Sequence, residues 1–198
     1  MNLPNKITLG RIILIPFMLI IPLFNIEGSL FGISNSNLII LAIFLIASFT
    51  DYLDGYLARK NNMITNFGKF LDPIADKLLV LAALIMLVET NMIPGWIPIV
   101  IAAREFIVSG IRMLAAGEGN VIAASWLGKV KTVSQMIAIS LAFVDTNAFF
   151  AFTNGLVTGW ALVLNILTSL SMLVCVATTI WSGTDYFIKS KEIVLRNK

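Results

Sequence analysis

Histidine is absent from the 198 residues, which removes Ser-His-Asp triads, zinc–histidine sites, haem ligation and histidine-based pH switches. Cysteine is nearly absent too: Cys175 stands alone, can form no internal disulfide, and says nothing of redox compartment. Charge is scarce. Asp, Glu, Lys and Arg make up 13% of the chain, where a soluble domain carries about 25%. The formal net charge of +3 is too small to point to nucleic acid. Apolar residues are plentiful instead, at 58% with a mean hydropathy of +0.91. A chain of this length needs no such excess to fill one core, so the surplus is assigned to surface that faces lipid. A soluble enzyme and a secreted disulfide scaffold are both excluded. No repeat, low-complexity tract or linker divides the sequence, which predicts one domain over residues 1–198.

A helix needs about 20 mostly apolar residues to cross a bilayer. Six stretches qualify: 7–24, 38–59, 70–88, 96–116, 129–144 and 156–181. The expected fold is all-α, a polytopic membrane protein built as a six-transmembrane-helix bundle. A short N-terminal amphipathic segment is expected to lead into a first span kinked at Pro16 and Pro22. Lys6 and Arg11 before an apolar run imitate a signal peptide, but no small-residue cleavage site follows. The connections 25–37, 89–95 and 145–154 contain neither Lys nor Arg. The basic residues lie instead in the termini, the other loops and the adjoining helix halves. That bias places both termini in the cytoplasm of a chain embedded in the cell membrane, with Trp96 and Trp160 near the outer interface and Trp126 and Trp181 near the inner one.

The most informative stretch is Asp51-x2-Asp54-Gly55-x2-Ala58-Arg59-x8-Gly68-x3-Asp72-x3-Asp76. On a helix, Asp51, Asp54, Gly55 and Ala58 share one face, and Gly68, Asp72, Ala75 and Asp76 share a face of the next. Asn61, Asn62, Thr65 and Asn66 supply turn and cap formers for the reversal between them. Four carboxylates then gather at the cytoplasmic end of the bundle, which predicts a cytoplasm-facing active site. A solvated helix face would be the ordinary explanation of a charged cluster. Here the acids adjoin apolar spans, where an aspartate costs about 2.5–3.5 kcal/mol at mid-membrane. Four like charges would also repel one another. Two divalent cations remove both penalties, and all-oxygen ligation suits Mg2+, Mn2+ or Ca2+. Gly55, Ala58 and Gly68 leave room for a phosphorylated ligand to approach the backbone, or for close helix packing.

These eight positions, Asp51, Asp54, Gly55, Ala58, Arg59, Gly68, Asp72 and Asp76, resemble the signature of the CDP-alcohol phosphatidyltransferase family in type and spacing. Similarity to the branch acting on glycerol 3-phosphate extends over nearly the whole chain. It includes Leu3-Pro4-Asn5-Lys6-Ile7-Thr8 with Arg11, Thr65-x-Phe67-Gly68, Leu71-Asp72-Pro73-x-Ala75-Asp76-Lys77, Arg104-Glu105, Gly128-Lys129-Val130-Lys131-Thr132 and Ser182-Gly183-x-Asp185-Tyr186-Phe187. Gly10 stands where that branch would have serine. The resemblance implies that CDP-diacylglycerol is attacked at its β-phosphorus by an acceptor hydroxyl and that CMP leaves. It further implies two divalent cations, Mg2+ or Mn2+, one on Asp51, Asp54 and Asp72 and the other on Asp51, Asp72 and Asp76. Asp76 would be the general base. Asn5, Thr8, Gly55, Ala58, Arg59 and Gly68 would meet the nucleotide and diphosphate, though Asn5 and Thr8 also suit a turn or cap. A homodimer is implied as well.

The aspartates do not specify the acceptor, for which glycerol 3-phosphate, inositol phosphate, inositol, serine and choline are all candidates. Arg104, Arg112, Lys129 and Lys131 are the cations available to bind an acceptor phosphate. Arg104 lies about 12 Å deeper than Arg112 along one helix, and at that depth it must face a cavity or pair with an acid, Glu105 of another subunit being one option. Arginine suits bidentate phosphate recognition, which favours sn-glycerol 3-phosphate. A cation-coupled transporter and an intramembrane prenyltransferase are the competing readings. The first expects inverted repeats, and the second expects aspartate motifs in two distant segments. Gly155-x3-Gly159 suggests a helix contact, between subunits or within one. Lys189, Lys191, Arg196 and Lys198 form a basic tail suited to anionic lipid.

Overall fold

The computed structural model describes residues 3–24, 26–30, 32–60, 66–117, 125–155 and 157–191, with the side chains of 3–6, 51–60 and 66–70 excepted. Two compact units divide the chain. The first comprises 1–92 and 142–146, the second 93–141 and 147–198.

In the first unit, α1 (Leu3–Ile20) runs on into a short 3-10 turn, Ile21–Phe24. The expected amphipathic entry is therefore not a separate element: the helix begins at Leu3 and passes through Pro16 without ending. Next come β1 (Ser29–Leu30) and β2 (Ile33–Ser34), an antiparallel pair with Ser29 opposite Ser34. Gly28 and Gly32 hold φ values of 103° and 82° at its ends, a region that costs glycine nothing. Asn35 closes the loop by donating from its side chain to the Glu27 carbonyl at 3.1 Å. Then follow α2 (Asn35–Lys60) and α3 (Asn66–Glu89). The three helices pack mutually, with Met18, Ile40, Phe44, Ala75, Ala83 and Leu87 among the side chains fully removed from solvent.

The second unit contains α4 (Trp96–Gly117), α5 (Trp126–Val144, its last three residues grouped with the first unit), the 3-10 turn Ala151–Asn154 and α6 (Gly159–Lys189). Here α4 packs along α6. The buried side chains of α5, Lys131, Gln135, Ala138, Ile139, Ala142 and Phe143, recur at three- and four-residue steps and so form one stripe. The connection before α6 is pinned onto that helix. Asn165 accepts from the Phe152 amide at 2.9 Å and donates to the Ala148 carbonyl at 3.0 Å, while the Ser169 hydroxyl accepts from the Phe150 amide at 3.1 Å. Gly155 ends the 3-10 turn and Gly159 opens α6, both at positive φ. They do not share a helical face, so the expected helix contact through this pair is replaced by two backbone turns.

Polarity is inverted relative to a water-soluble helix bundle. Lys131, Gln135, Asn165, Thr168, Ser169, Thr179 and Ser182 are buried, whereas Phe49, Ile99, Phe106, Met113, Trp160, Trp181 and Ile188 are exposed. Three stretches among the described residues are long and apolar enough to cross a membrane, Ile7–Phe24, Trp126–Val144 and Gly159–Lys189. Helices α2, α3 and α4 have the length, at 26, 24 and 22 residues, but carry the charges of the candidate site.

Candidate active site

Carboxylates and cations gather in different units. In the first unit, α2 presents Asp51, Asp54, Gly55 and Ala58 on one helical face, followed by Arg59. Gly68, Asp72 and Asp76 share a face of α3, which packs against α2. The side chains of Asn5, Asp51, Asp54, Ala58 and Arg59, the surroundings of Gly55 and Gly68, and the turn at 61–65 lie outside the described residues.

Asp72 is half-buried, and Asp76, one turn further along, is exposed. Ala75 beside them is fully buried. The Thr8 hydroxyl of α1 donates to Asp72 Oδ1 at 2.7 Å. Thr8 lies inside α1 and is buried, so it is neither a turn nor a cap residue. Its hydroxyl orients the carboxylate from across the helix packing. Among the described residues, which do not include the side chains of Asp51 and Asp54, no three acidic side chains converge. The donor chemistry nevertheless fits a hard divalent cation. Asp72 and Asp76 stand one turn apart, one of them already fixed by a neutral donor, and every ligand atom offered is oxygen.

In the second unit the structure joins three of the four expected cations. Lys131, only 4% exposed, donates to Glu105 Oε1, and Arg104 Nη1 reaches the same oxygen at 3.4 Å. The acid that pairs with Arg104 is thus Glu105 of its own chain. Arg104 Nη2 donates to Ser182 Oγ at 2.6 Å. Arg112 donates to the Tyr186 hydroxyl, which also accepts from the Ser125 amide at 3.0 Å. Both guanidinium groups lie over the Tyr186 ring, at 5.8 Å for Arg104 and 5.0 Å for Arg112. Lys129 does not join them. It is exposed, and two residues from Lys131 on a helix it points about 200° away. Two cations thus share one carboxylate, Arg112 is held by the neutral Tyr186 hydroxyl, and Arg104 Nε is buried without a hydrogen-bond partner among the described residues. Such an orphan donor costs about 1–3 kcal/mol, which an incoming oxyanion would relieve.

Residues 1–181 match the family described as CDP-alcohol phosphatidyltransferase. The chain belongs to that family. A Bacillus subtilis (strain 168) CDP-diacylglycerol–glycerol-3-phosphate 3-phosphatidyltransferase is 45% identical over 196 residues, covering 96% of each chain. The Haemophilus influenzae (Rd) protein of the same name is 39% identical over 99% of this chain and 97% of its own. Its Escherichia coli (K12) namesake is 40% identical over 70% and 75%.

A CDP-alcohol phosphatidyltransferase is an enzyme of phospholipid biosynthesis, and two buried groups on α6 take on meaning in that light. Ser182 and Tyr186, one turn apart, hold the arginines of α4. In the sequence these two residues belong to the family resemblance with no role attached. Their spacing is the signal they offer: polar residues four apart, both continuing the inward face of a helix whose apolar run has already ended. For Glu105 the sequence offers a pairing with Arg104 between subunits, but not the one within the chain nor the arrival of Lys131 at the same oxygen.

Proposed function

We propose that this chain transfers the phosphatidyl group of CDP-diacylglycerol to sn-glycerol 3-phosphate, forming phosphatidylglycerophosphate and releasing CMP. In the reaction, an acceptor hydroxyl oxygen forms a bond to the β-phosphorus as the bond from that phosphorus to the CMP oxygen breaks. Asp51, Asp54, Asp72 and Asp76 would hold two divalent cations, Mg2+ or Mn2+, which neutralise the diphosphate and the departing CMP. Asp76, the exposed member on α3, takes the proton from the acceptor hydroxyl. Thr8 keeps Asp72 turned as required, while Asn5, Gly55, Ala58, Arg59 and Gly68 form the nucleotide side of the site. Arg104, Arg112 and Lys131 receive the acceptor's phosphate, and Lys129 adds positive potential at the same membrane face.

One observation carries the choice of acceptor. Arg104 and Lys131 share a single carboxylate, Arg112 is held beside them by the neutral Tyr186 hydroxyl, and among the described residues the buried Arg104 Nε–H is left unpartnered. A neutral alcohol such as inositol or serine's hydroxyl would leave that surplus charge uncompensated, whereas a phosphate monoester matches it. The names of the Bacillus, Haemophilus and Escherichia relatives support the same acceptor. We further infer that the two units act as one catalytic domain, since the family match runs across both. The six helices are read as six membrane spans with both termini cytoplasmic, and the enzyme as a homodimer, the assembly implied by the family resemblance.

Purified protein in lipid nanodiscs, given CDP-diacylglycerol and each acceptor separately, tests the reading by CMP release. Glycerol 3-phosphate should be used at least ten-fold better than inositol or serine, EDTA should abolish turnover, and Mg2+ or Mn2+ should restore it. Preference for a neutral acceptor would overturn the acceptor assignment. Full turnover in EDTA with no residual bound metal would overturn the role given to the aspartates.

A further inference from the structure

The resemblance attaches no role to Tyr186, yet three elements meet at its side chain. The tyrosine is 2% exposed, near the end of α6. Its hydroxyl accepts from Arg112 of α4 and from the Ser125 amide that precedes α5. Its ring lies under both Arg112 and Arg104. A guanidinium sits on a long, rotatable stem, and two arginines eight residues apart on one helix start about 80° apart around its axis. Mutual repulsion would push them further apart. An aromatic face with a hydroxyl acceptor at its edge offsets this, because the ring quadrupole attracts both cations and the oxygen fixes the direction of one.

Resting on the acceptor reading above, we propose that Tyr186 is a positioning residue. It holds Arg112, and through its ring Arg104, in a preformed receptor for the phosphate of the acceptor. Tyr186 acts through the arginines and does not itself bind the substrate. Preorganisation of this kind lowers KM for the phosphorylated acceptor and leaves the CDP-diacylglycerol side unaffected. Binding energy is then not spent on gathering two like charges when the acceptor arrives.

The two substitutions Tyr186→Phe and Tyr186→Leu separate the contributions. Tyr186→Phe keeps the ring and loses the oxygen that orients Arg112; it should raise KM for glycerol 3-phosphate roughly ten-fold, the scale of one hydrogen bond to a charged group. Tyr186→Leu should raise it further. Neither should change KM for CDP-diacylglycerol. A double-mutant cycle gives the readout that general loss of structure would not: in an Arg112→Ala background, Tyr186→Phe should add less than two-fold. Additive effects of Tyr186→Phe and Arg112→Ala would overturn the proposal, as would equal losses on both substrates. If Arg112→Ala raises the glycerol 3-phosphate KM while Tyr186→Phe does not, the positioning role fails and the acceptor site stands. If neither substitution moves that KM, the acceptor site fails as well. The thermal midpoint of each variant in nanodiscs is measured alongside, and a positioning role requires the Tyr186→Phe enzyme to remain folded at the assay temperature.

Discussion

Asp72 receives the Thr8 hydroxyl at 2.7 Å, although 64 positions separate the two residues. Sequence alone assigns Thr8 to the nucleotide, a turn or a cap, because the residue that comes to meet it is set by the packing of α1 on α3. The aspartates are different. Their spacing alone places them on helical faces, so Asp72 and Asp76 are legible and the partner of Asp72 is not. With Asp72 as a proposed cation ligand, this hydrogen bond would make Thr8 an indirect contributor to cation binding. A hydrogen bond to a charged group contributes about 1.5–3 kcal/mol, and a carboxylate released from it can rotate away from its ligand position. Thr8→Val is therefore expected to weaken Mg2+ binding roughly ten-fold, and Thr8→Ser to restore it. The measurement is the Mg2+-dependent rise in thermal midpoint of the purified protein, with the Mg2+ dependence of turnover beside it. An unchanged Mg2+ midpoint in Thr8→Val would remove the positioning role.

The existence and approximate place of the helices are the most readable features, because long apolar runs announce themselves. Their ends shift, α6 running to Lys189 beyond the expected 181. The stretch expected at 96–116 is α4, Trp96–Gly117, and that at 70–88 lies within α3, Asn66–Glu89. Short features escape. The hairpin of Ser29–Leu30 with Ile33–Ser34 has two residues per strand, too few for alternation to register. Equally hidden is the reason for a glycine inside α6. A helix-interior glycine costs about 1 kcal/mol relative to alanine, so its presence needs a cause. A Cβ on Gly183 would lie 3.1 Å from Arg104 Cγ, which shows that the arginine stem fills the space a side chain would take. The stem is flexible and alanine is small, so Gly183→Ala should be near neutral in stability and raise the glycerol 3-phosphate KM only a few-fold. Gly183→Val has no such latitude. Overpacking at this seam is expected to cost about 1–3 kcal/mol and displace Arg104. The checks are the thermal midpoint in nanodiscs and KM for each substrate. A Gly183→Val enzyme with wild-type acceptor KM would show that the arginine's seat is not needed.

Across the whole chain, inverted polarity and charge distribution answer the same question by different physics. Apolar side chains such as Ile99, Phe106, Met113 and Trp181 cover the outside, which a bilayer accepts and water does not. At about 1.5 Å per residue, the 31 residues of α6 extend to about 46 Å, longer than a hydrocarbon core of about 30 Å. One end must therefore emerge, and the end bearing Tyr186 and Lys189 is the polar one. Lys and Arg are missing from 25–37 and 145–154 and present around 189–198, so under the topology proposed above the bias of cytoplasmic loops toward basic residues would put that emerging end inside the cell. The scarcity of cysteine makes the orientation measurable. Cys175 is fully buried, and Cys175→Ala leaves a background into which single thiols can be placed. Glu27, Asn154 and Lys191 are exposed in the structure and lie outside the proposed catalytic machinery. In intact cells a membrane-impermeant maleimide should label Glu27→Cys and Asn154→Cys, while Lys191→Cys should react only after lysis. An odd number of spans would place the C-terminal thiol outside and so label it in intact cells. Labelling of Lys191→Cys alone would invert the whole chain, carrying the arginine receptor and its tyrosine to the wrong face for a soluble cytoplasmic phosphate ester.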